Sequence, residues 1–162
     1  MLTETSLKQP TAESSLIELL KYRAHHQPDK LAYQFLVDGK QAGPAYTYSM
    51  LDLQARAIAT CLKGLQGERA LLLYPQGIEV MAAFFGCLYA GVIAIPVPPP
   101  DAGRLKRTLP RLQEIVKDAE ATLVLSIGRI INLIQTSGLD LPEFQSTQWI
   151  DTEKIDVSLA KD

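Results

Sequence analysis

The chain has 162 residues, enough to bury a core of its own as one domain. A hydrophobic fraction of 47% and a charged fraction of 21% fit a globular protein and argue against a low-complexity chain. A net charge of -2 gives no global field that would draw in nucleic acid. The longest apolar stretch, residues 80–97, is broken by Gly86, Gly91 and Pro96 and reads as helix, turn and strand rather than a membrane span.

Residues 1–13 are polar and read as a disordered lead-in. They lack the charged-then-apolar layout of a secretory signal, so a cytoplasmic location is expected. Ser15 and Glu18 stand at capping-box spacing and open a first helix, with Leu16, Leu19 and Leu20 on its apolar face and Pro28 beyond its end. Residues 31–37 read as a strand. Asp38-Gly39 is a turn signal, and residues 45–48 return as a second strand. Ser49 is the expected cap of the next helix, with Asp52 at its third position. There Leu51, Ala55, Ile58, Ala59, Leu62 and Leu65 keep a helical period, and Gly64 and Gly67 end it.

Residues 70–74 (ALLLY) form a continuous apolar run, the pattern of a parallel strand covered on both faces. Pro75-Gln76-Gly77 turns the chain into an apolar helix carrying Ile78, Met81, Ala82, Phe85, Leu88 and Tyr89, with Gly91 as its C-terminal stop. Residues 92–95 are the next strand and run into Pro96, Pro98, Pro99 and Pro100. Leu105, Leu109, Leu112 and Val116 then share one helical face. Pro110 requires either that this helix begins near Thr108 or that it is kinked. Residues 123–126 form another strand, residues 127–136 a helix stopped by Gly138, and Trp149-Ile150 a last short strand before a polar tail. Helices alternating with short buried strands predict an α/β fold with a mostly parallel sheet flanked by helices. The early hairpin is expected as an antiparallel addition at one sheet edge.

Few residues carry chemistry. There is no G-x-G-x-x-G and no P-loop pattern. The turn at residues 74–77 stands between strand and helix, where a phosphate could bind, but it has one glycine, no lysine and a repelling Glu79. Thr136-Ser137-Gly138 continues into Leu139-Asp140-Leu141-Pro142 and reads as a helix end. His25 and His26 are adjacent and point about 100° apart on a helix, so they do not share a metal easily. Cys61 and Cys87 read as reduced core cysteines. Arg104, Lys106, Arg107 and Arg111 form a basic cluster without interleaved aromatics in a net acidic chain, which argues against a nucleic-acid site. Two readings of it stay open: a solvated helix face, or a patch for an acidic carrier protein or its phosphopantetheine phosphate. No catalytic, cofactor-binding or metal-binding residue is assigned.

Several segments, in order, resemble the adenylate-forming (AMP-binding) enzymes. They are Pro28-Asp29-Lys30-Leu31-Ala32, then Thr47-Tyr48-Ser49-Met50-Leu51, then Gly77-Ile78-Glu79-Val80. The run Phe84-Phe85-Gly86-Cys87-Leu88-Tyr89-Ala90-Gly91 and Ile95-Pro96-Val97-Pro98-Pro99-Pro100 follow. The extra prolines, and Arg111-Leu112, Ile115 and Asp118-Ala119 behind them, are most similar to the fatty acyl-AMP ligases. Acyl-CoA ligases and peptide-synthetase adenylation domains are the near alternatives.

The resemblance implies the first subdomain of the large N-terminal domain of such an enzyme, with residues 14–151 as the partial domain and residues 152–162 as a tail toward the remainder. It implies a parent that uses ATP and Mg²⁺ to convert a fatty acid to an acyl-adenylate and pyrophosphate. The acyl group then passes to an acyl carrier protein for polyketide, lipopeptide or lipid biosynthesis. The family's phosphate loop, nucleotide contacts, Mg²⁺ carboxylate and catalytic lysine are expected beyond Asp162. This chain alone is therefore expected to be inactive and to bind no cofactor. Its partners are expected to be the remainder of the enzyme and, through exposed apolar surface, other copies of itself. The competing reading is a non-catalytic interaction module of the same subfold.

Overall fold

The computed structural model describes residues 9–11 and 14–160, so the expected lead-in lies largely outside the described residues. Helix α1 (Leu16–His26) opens on the expected capping box. The Glu18 N–H donates to Ser15 Oγ at 3.2 Å, and the Ser15 N–H donates to the Glu18 carboxylate at 2.7 Å. Its apolar face is narrower than expected. Leu20 is buried, whereas Leu16 and Leu19 are 52% and 38% exposed.

Strands β1 (Leu31–Val37) and β2 (Gln41–Thr47) pair antiparallel across a turn in which Asp38 and Gly39 both have positive φ. The hairpin does not extend the main sheet; it is a separate two-stranded sheet. Its base is tied to the following helix instead, because the N–H groups of Tyr48 and Ser49 donate to the carbonyls of Lys30 and Pro28.

Helix α2 (Tyr48–Cys61) is capped by Thr47, not Ser49. Thr47 Oγ1 accepts the Met50 N–H at 3.3 Å, while the Ser49 hydroxyl donates to the Pro28 carbonyl at 3.0 Å. Leu51, Ala55, Ile58 and Leu62 are at most 1% exposed and give the helix its buried face. Strand β3 (Arg69–Leu73), helix α3 (Glu79–Ala90) and strand β4 (Ile93–Val97) follow as a βαβ unit. Gly91 ends α3 in the left-handed region at φ 70°, which a glycine adopts without strain.

After a short 3₁₀ turn, helix α4 (Leu105–Asp118) runs without a break through Pro110. The start near Thr108 is therefore not what forms. The proline lies inside the helix and leaves the Lys106 carbonyl without its usual donor. Pro110 is exposed, so water can reach that edge. Strand β5 (Leu123–Ser126), helices α5 (Gly128–Gln135) and α6 (Pro142–Gln145), and strand β6 (Gln148–Asp151) follow, and two 3₁₀ turns (Thr152–Lys154 and Val157–Leu159) close the described residues.

The main sheet has the order β4-β3-β5-β6 and is parallel throughout. The central strands β3 and β5 pair Leu71 with Val124 and Leu72 with Leu125, and all four residues of β5 are buried. Pro96 is placed on the outer strand β4, where its missing N–H is tolerated. With the strand order β4-β3-β5-β6, the right-handed rule for crossovers assigns α3 to one face and α4 to α6 to the other. The predicted α/β class and its parallel sheet are thus present.

Candidate functional site

Connections leave β3 toward β4 and β5 toward β6, so the chain reverses direction between β3 and β5. Open parallel sheets bind ligands at the carboxyl ends of strands at such a point. Here the chain fills that point with its own hydroxyls. The buried Ser126 hydroxyl donates to the Leu73 carbonyl. Thr152 Oγ1 lies 3.2 Å from the Ser126 carbonyl and 3.0 Å from the Tyr74 hydroxyl. Burial pushes the Tyr74 phenol far above its ordinary pKa, so it stays neutral. These are satisfied structural groups.

A cavity of about 210 Å³ adjoins them, lined in part by Tyr46, Gln54, Glu79, Thr152 and Glu153. Both of its charged groups are acidic. The Glu79 carboxylate stands where a Gly77 Cβ would point, and so lies over the turn at residues 74–77. Glu153 accepts the Gly128 N–H at 2.9 Å and so occupies the N-terminus of α5. Neither turn offers an open phosphate cradle.

The remaining candidates resolve as follows. The Thr136-Ser137-Gly138 segment ends α5, with Gly138 at φ 69°. His26 is turned back to the Tyr22 carbonyl at 2.9 Å, and the His25 and His26 rings meet edge to face. Among the described residues no group of three or more His, Cys, Asp or Glu side chains could hold a metal ion. Both cysteines are free, but Cys61 is exposed rather than part of the core, because it falls at the end of α2 outside its buried stripe. Cys87 is buried, which pushes its thiol up to about 12.

One polar cluster was not anticipated. Asp52 is only 8% exposed, accepts from Arg56 Nε at 2.8 Å, and accepts from the Tyr89 hydroxyl at 2.5 Å. Burial first, then the Asp52 hydrogen bond and charge, push the Tyr89 phenol upward. The cluster ties α2 to α3. Its i,i+4 Asp-Arg spacing is visible in sequence, but Tyr89 is far along the chain.

The basic cluster is exposed at all four positions. Arg104 lies 3.8 Å from Asp101, a weak contact. At 100° per residue, Arg104, Arg107 and Arg111 fall within one 60° sector of α4 and Lys106 falls on another side. Arg107 and Arg111 border a groove of about 230 Å³ lined also by Pro98, Pro100, Leu112 and Ile115. Sequence spacing exposes the arginine stripe. It does not reveal the groove, which needs the proline segment folded against α4.

Residues 20–159 match the model of the AMP-binding enzyme family. The chain belongs to that family. Over 151 residues it is 49% identical to the medium-chain-fatty-acid–[acyl-carrier-protein] ligase JamA of Moorena producens (strain JHB), covering 91% of this chain and 26% of that protein. Its fold matches a fatty acid AMP ligase from Legionella pneumophila with a TM-score of 0.74 and 32% identity, over 90% of this chain and 24% of that one. A fatty acyl-adenylate ligase from L. pneumophila, in complex with acyl adenylate and pyrophosphate, matches with a TM-score of 0.73 and 34% identity over the same shares. The resemblance to fatty acyl-AMP ligases read from the sequence is therefore borne out. This AMP-binding enzyme chain spans about a quarter of the length of the relatives it matches.

Proposed function

We propose that this chain is the opening subdomain of a fatty acyl-AMP ligase and serves that enzyme as scaffold rather than as catalyst. The parent takes a fatty acid, ATP and Mg²⁺ to an acyl-adenylate and pyrophosphate, then passes the acyl group to the phosphopantetheine thiol of an acyl carrier protein. It acts in the cytoplasm and loads polyketide, lipopeptide or lipid assembly. The carrying observation is the 49% identity to a fatty-acid–carrier-protein ligase across 91% of the chain.

The described residues do not fit Mg²⁺ or a triphosphate. They hold no group of three or more potential metal ligands, and the turns from β3 to α3 and from β5 to α5 are covered by Glu79 and Glu153. No chemical step is assigned to them. Their contribution is the parallel sheet and the fixed carboxyl ends of β3 and β5, against which the acid- and nucleotide-binding parts would be held. The apolar side chains left exposed, including Leu31, Leu36, Met50 and Ile93, are surface for the rest of the enzyme or for self-association.

The test is the product of the full open reading frame that contains this chain. It should show fatty-acid-dependent exchange of pyrophosphate into ATP and should acylate a holo-carrier protein. The 162-residue chain alone should show neither. Exchange that depends only on amino or aryl acids would sink the fatty-acid reading.

A further inference from the structure

We propose that the basic face of α4 and the apolar groove beside it form a docking surface for an acidic protein, namely the acyl carrier protein that accepts the acyl group. The partner's identity rests on the function proposed above.

The first argument is a charge imbalance inside the fold. Arg104 is the N-cap of α4, Lys106 and Arg107 stand in its first turn, and Arg111 lies one turn further. The first turn holds no acidic residue. A helix N-terminus is the positive end of the macrodipole, so cations there are disfavoured, and Arg107 and Arg111 repel each other at i,i+4. Lys106, Arg107 and Arg111 form no ion pair among the described residues. On the helix Glu114 stands three residues from Arg111 yet pairs with none of these cations among the described residues, and Asp118 lies at the far end. Within a net acidic chain, a cation cluster set against its own helix calls for an anionic partner from outside.

The second argument is shape. Arg104, Arg107 and Arg111 make a stripe about 10 Å long at 1.5 Å rise per residue. Arg107 and Arg111 of this stripe line a groove together with Pro98, Pro100, Leu112 and Ile115. Prolines are stiff, so binding orders little that was loose. A groove of about 230 Å³ accepts one apolar side chain, while the arginines reach carboxylates around it. An apolar anchor within an acidic rim is the surface that complements this one. The groove has no aromatic side chain for base stacking, which disfavours a single-stranded nucleic acid.

The experiment uses the full reading-frame product and a fluorescently labelled holo-carrier protein. Anisotropy at low salt reads binding, and pyrophosphate exchange, which involves no carrier, is read in parallel. Reversing two charges with R107E/R111E should weaken carrier binding about tenfold or more, and raise the carrier KM in acyl transfer, with exchange retained. Both side chains are exposed, and Arg107→Glu puts an acid in the first turn of α4, where the macrodipole favours it; retained exchange reports that the variant is folded. R107K/R111K should keep most of the binding, and added salt should weaken the wild type. Unchanged carrier binding in R107E/R111E overturns the proposal, as does loss of exchange with binding intact. Charge-dependent binding to anionic vesicles but not to carrier overturns it too. Carrier binding in a protein without fatty-acid exchange would leave the docking surface standing and remove the ligase reading. Exchange with carrier binding insensitive to the arginines would do the reverse.

Discussion

Gly86 offers a test of the α2–α3 contact in which the sign of the effect decides. A β-carbon added there would stand 2.6 Å from Ile58 Cγ2, 2.8 Å from Ile58 Cβ and 3.2 Å from the Ala55 carbonyl oxygen. Ile58 is 1% exposed and has no solvent to swing into. Carbon atoms settle about 3.5–4.0 Å apart, so Gly86→Ala must part the helices by about 1 Å or force Ile58 off its rotamer. Overpacking of this kind costs about 1–3 kcal/mol. Alanine in a helix interior recovers about 1 kcal/mol over glycine. The net expectation is a loss of about 1 kcal/mol, measured by urea unfolding followed by far-UV circular dichroism. Ile58→Ala alone should cost about 2–5 kcal/mol through its cavity. The double variant should fall short of additivity by about 1 kcal/mol, because the new methyl group enters the space that Ile58 leaves. If Gly86→Ala is instead stabilising by the full helix-propensity gain, the helices do not pack at this glycine and the reasoning fails.

Three further outcomes follow from local geometry. Thr47→Ala should cost about 1 kcal/mol and Thr47→Asp little, because Thr47 is the α2 cap; a full loss in Ser49→Ala with none in Thr47→Ala would place the helix start two residues later. In the native protein at neutral pH a thiol reagent should label Cys61 and spare Cys87, which is buried with its thiol raised to about 12; two rapidly labelled thiols would contradict that burial. Because Tyr74 and Cys87 are raised above their unfolded values, their contribution to stability is full below about pH 8.5–10 and is lost as pH rises through the folded values. Urea midpoints should accordingly hold near neutrality and fall in alkali, and Tyr74→Phe should cost about 1 kcal/mol at neutral pH and flatten part of the alkaline fall; an unaltered alkaline slope in that variant would refute the assignment.

What the sequence could disclose divides by the range of the forces involved. The core strands of the parallel sheet are legible because burial on both faces writes a continuous apolar run, as in residues 70–73 and 123–125. The box at Ser15 and Glu18 and the left-handed Gly91 are equally local: each is completed within a few residues of itself. Thr47 and Ser49 show where that stops. Both are good caps, two residues apart, and the choice is made by the Pro28 carbonyl, which takes the Ser49 hydroxyl from the other end of the hairpin. The same hairpin was expected on the sheet edge because strands usually join sheets. It stays apart because its base bonds to Lys30 and Pro28 fix it against α2.

The candidate surface divides in the same way. Helical spacing alone puts Arg104, Arg107 and Arg111 on one stripe, so the charge was visible. The groove was not, because Pro98 and Pro100 meet Leu112 and Ile115 only once the chain has left β4 and turned back as α4. Asp52 is the complementary case. In sequence it stands only as the third residue after the expected Ser49 cap, yet it is buried, and Tyr89, 37 residues on, lowers the cost of burying it by donating a hydrogen bond. A carboxylate can be buried there because α3 approaches α2 closely enough for that bond, and Gly86 is the residue that permits the approach. The polar tie and the missing side chain are therefore two parts of one packing decision.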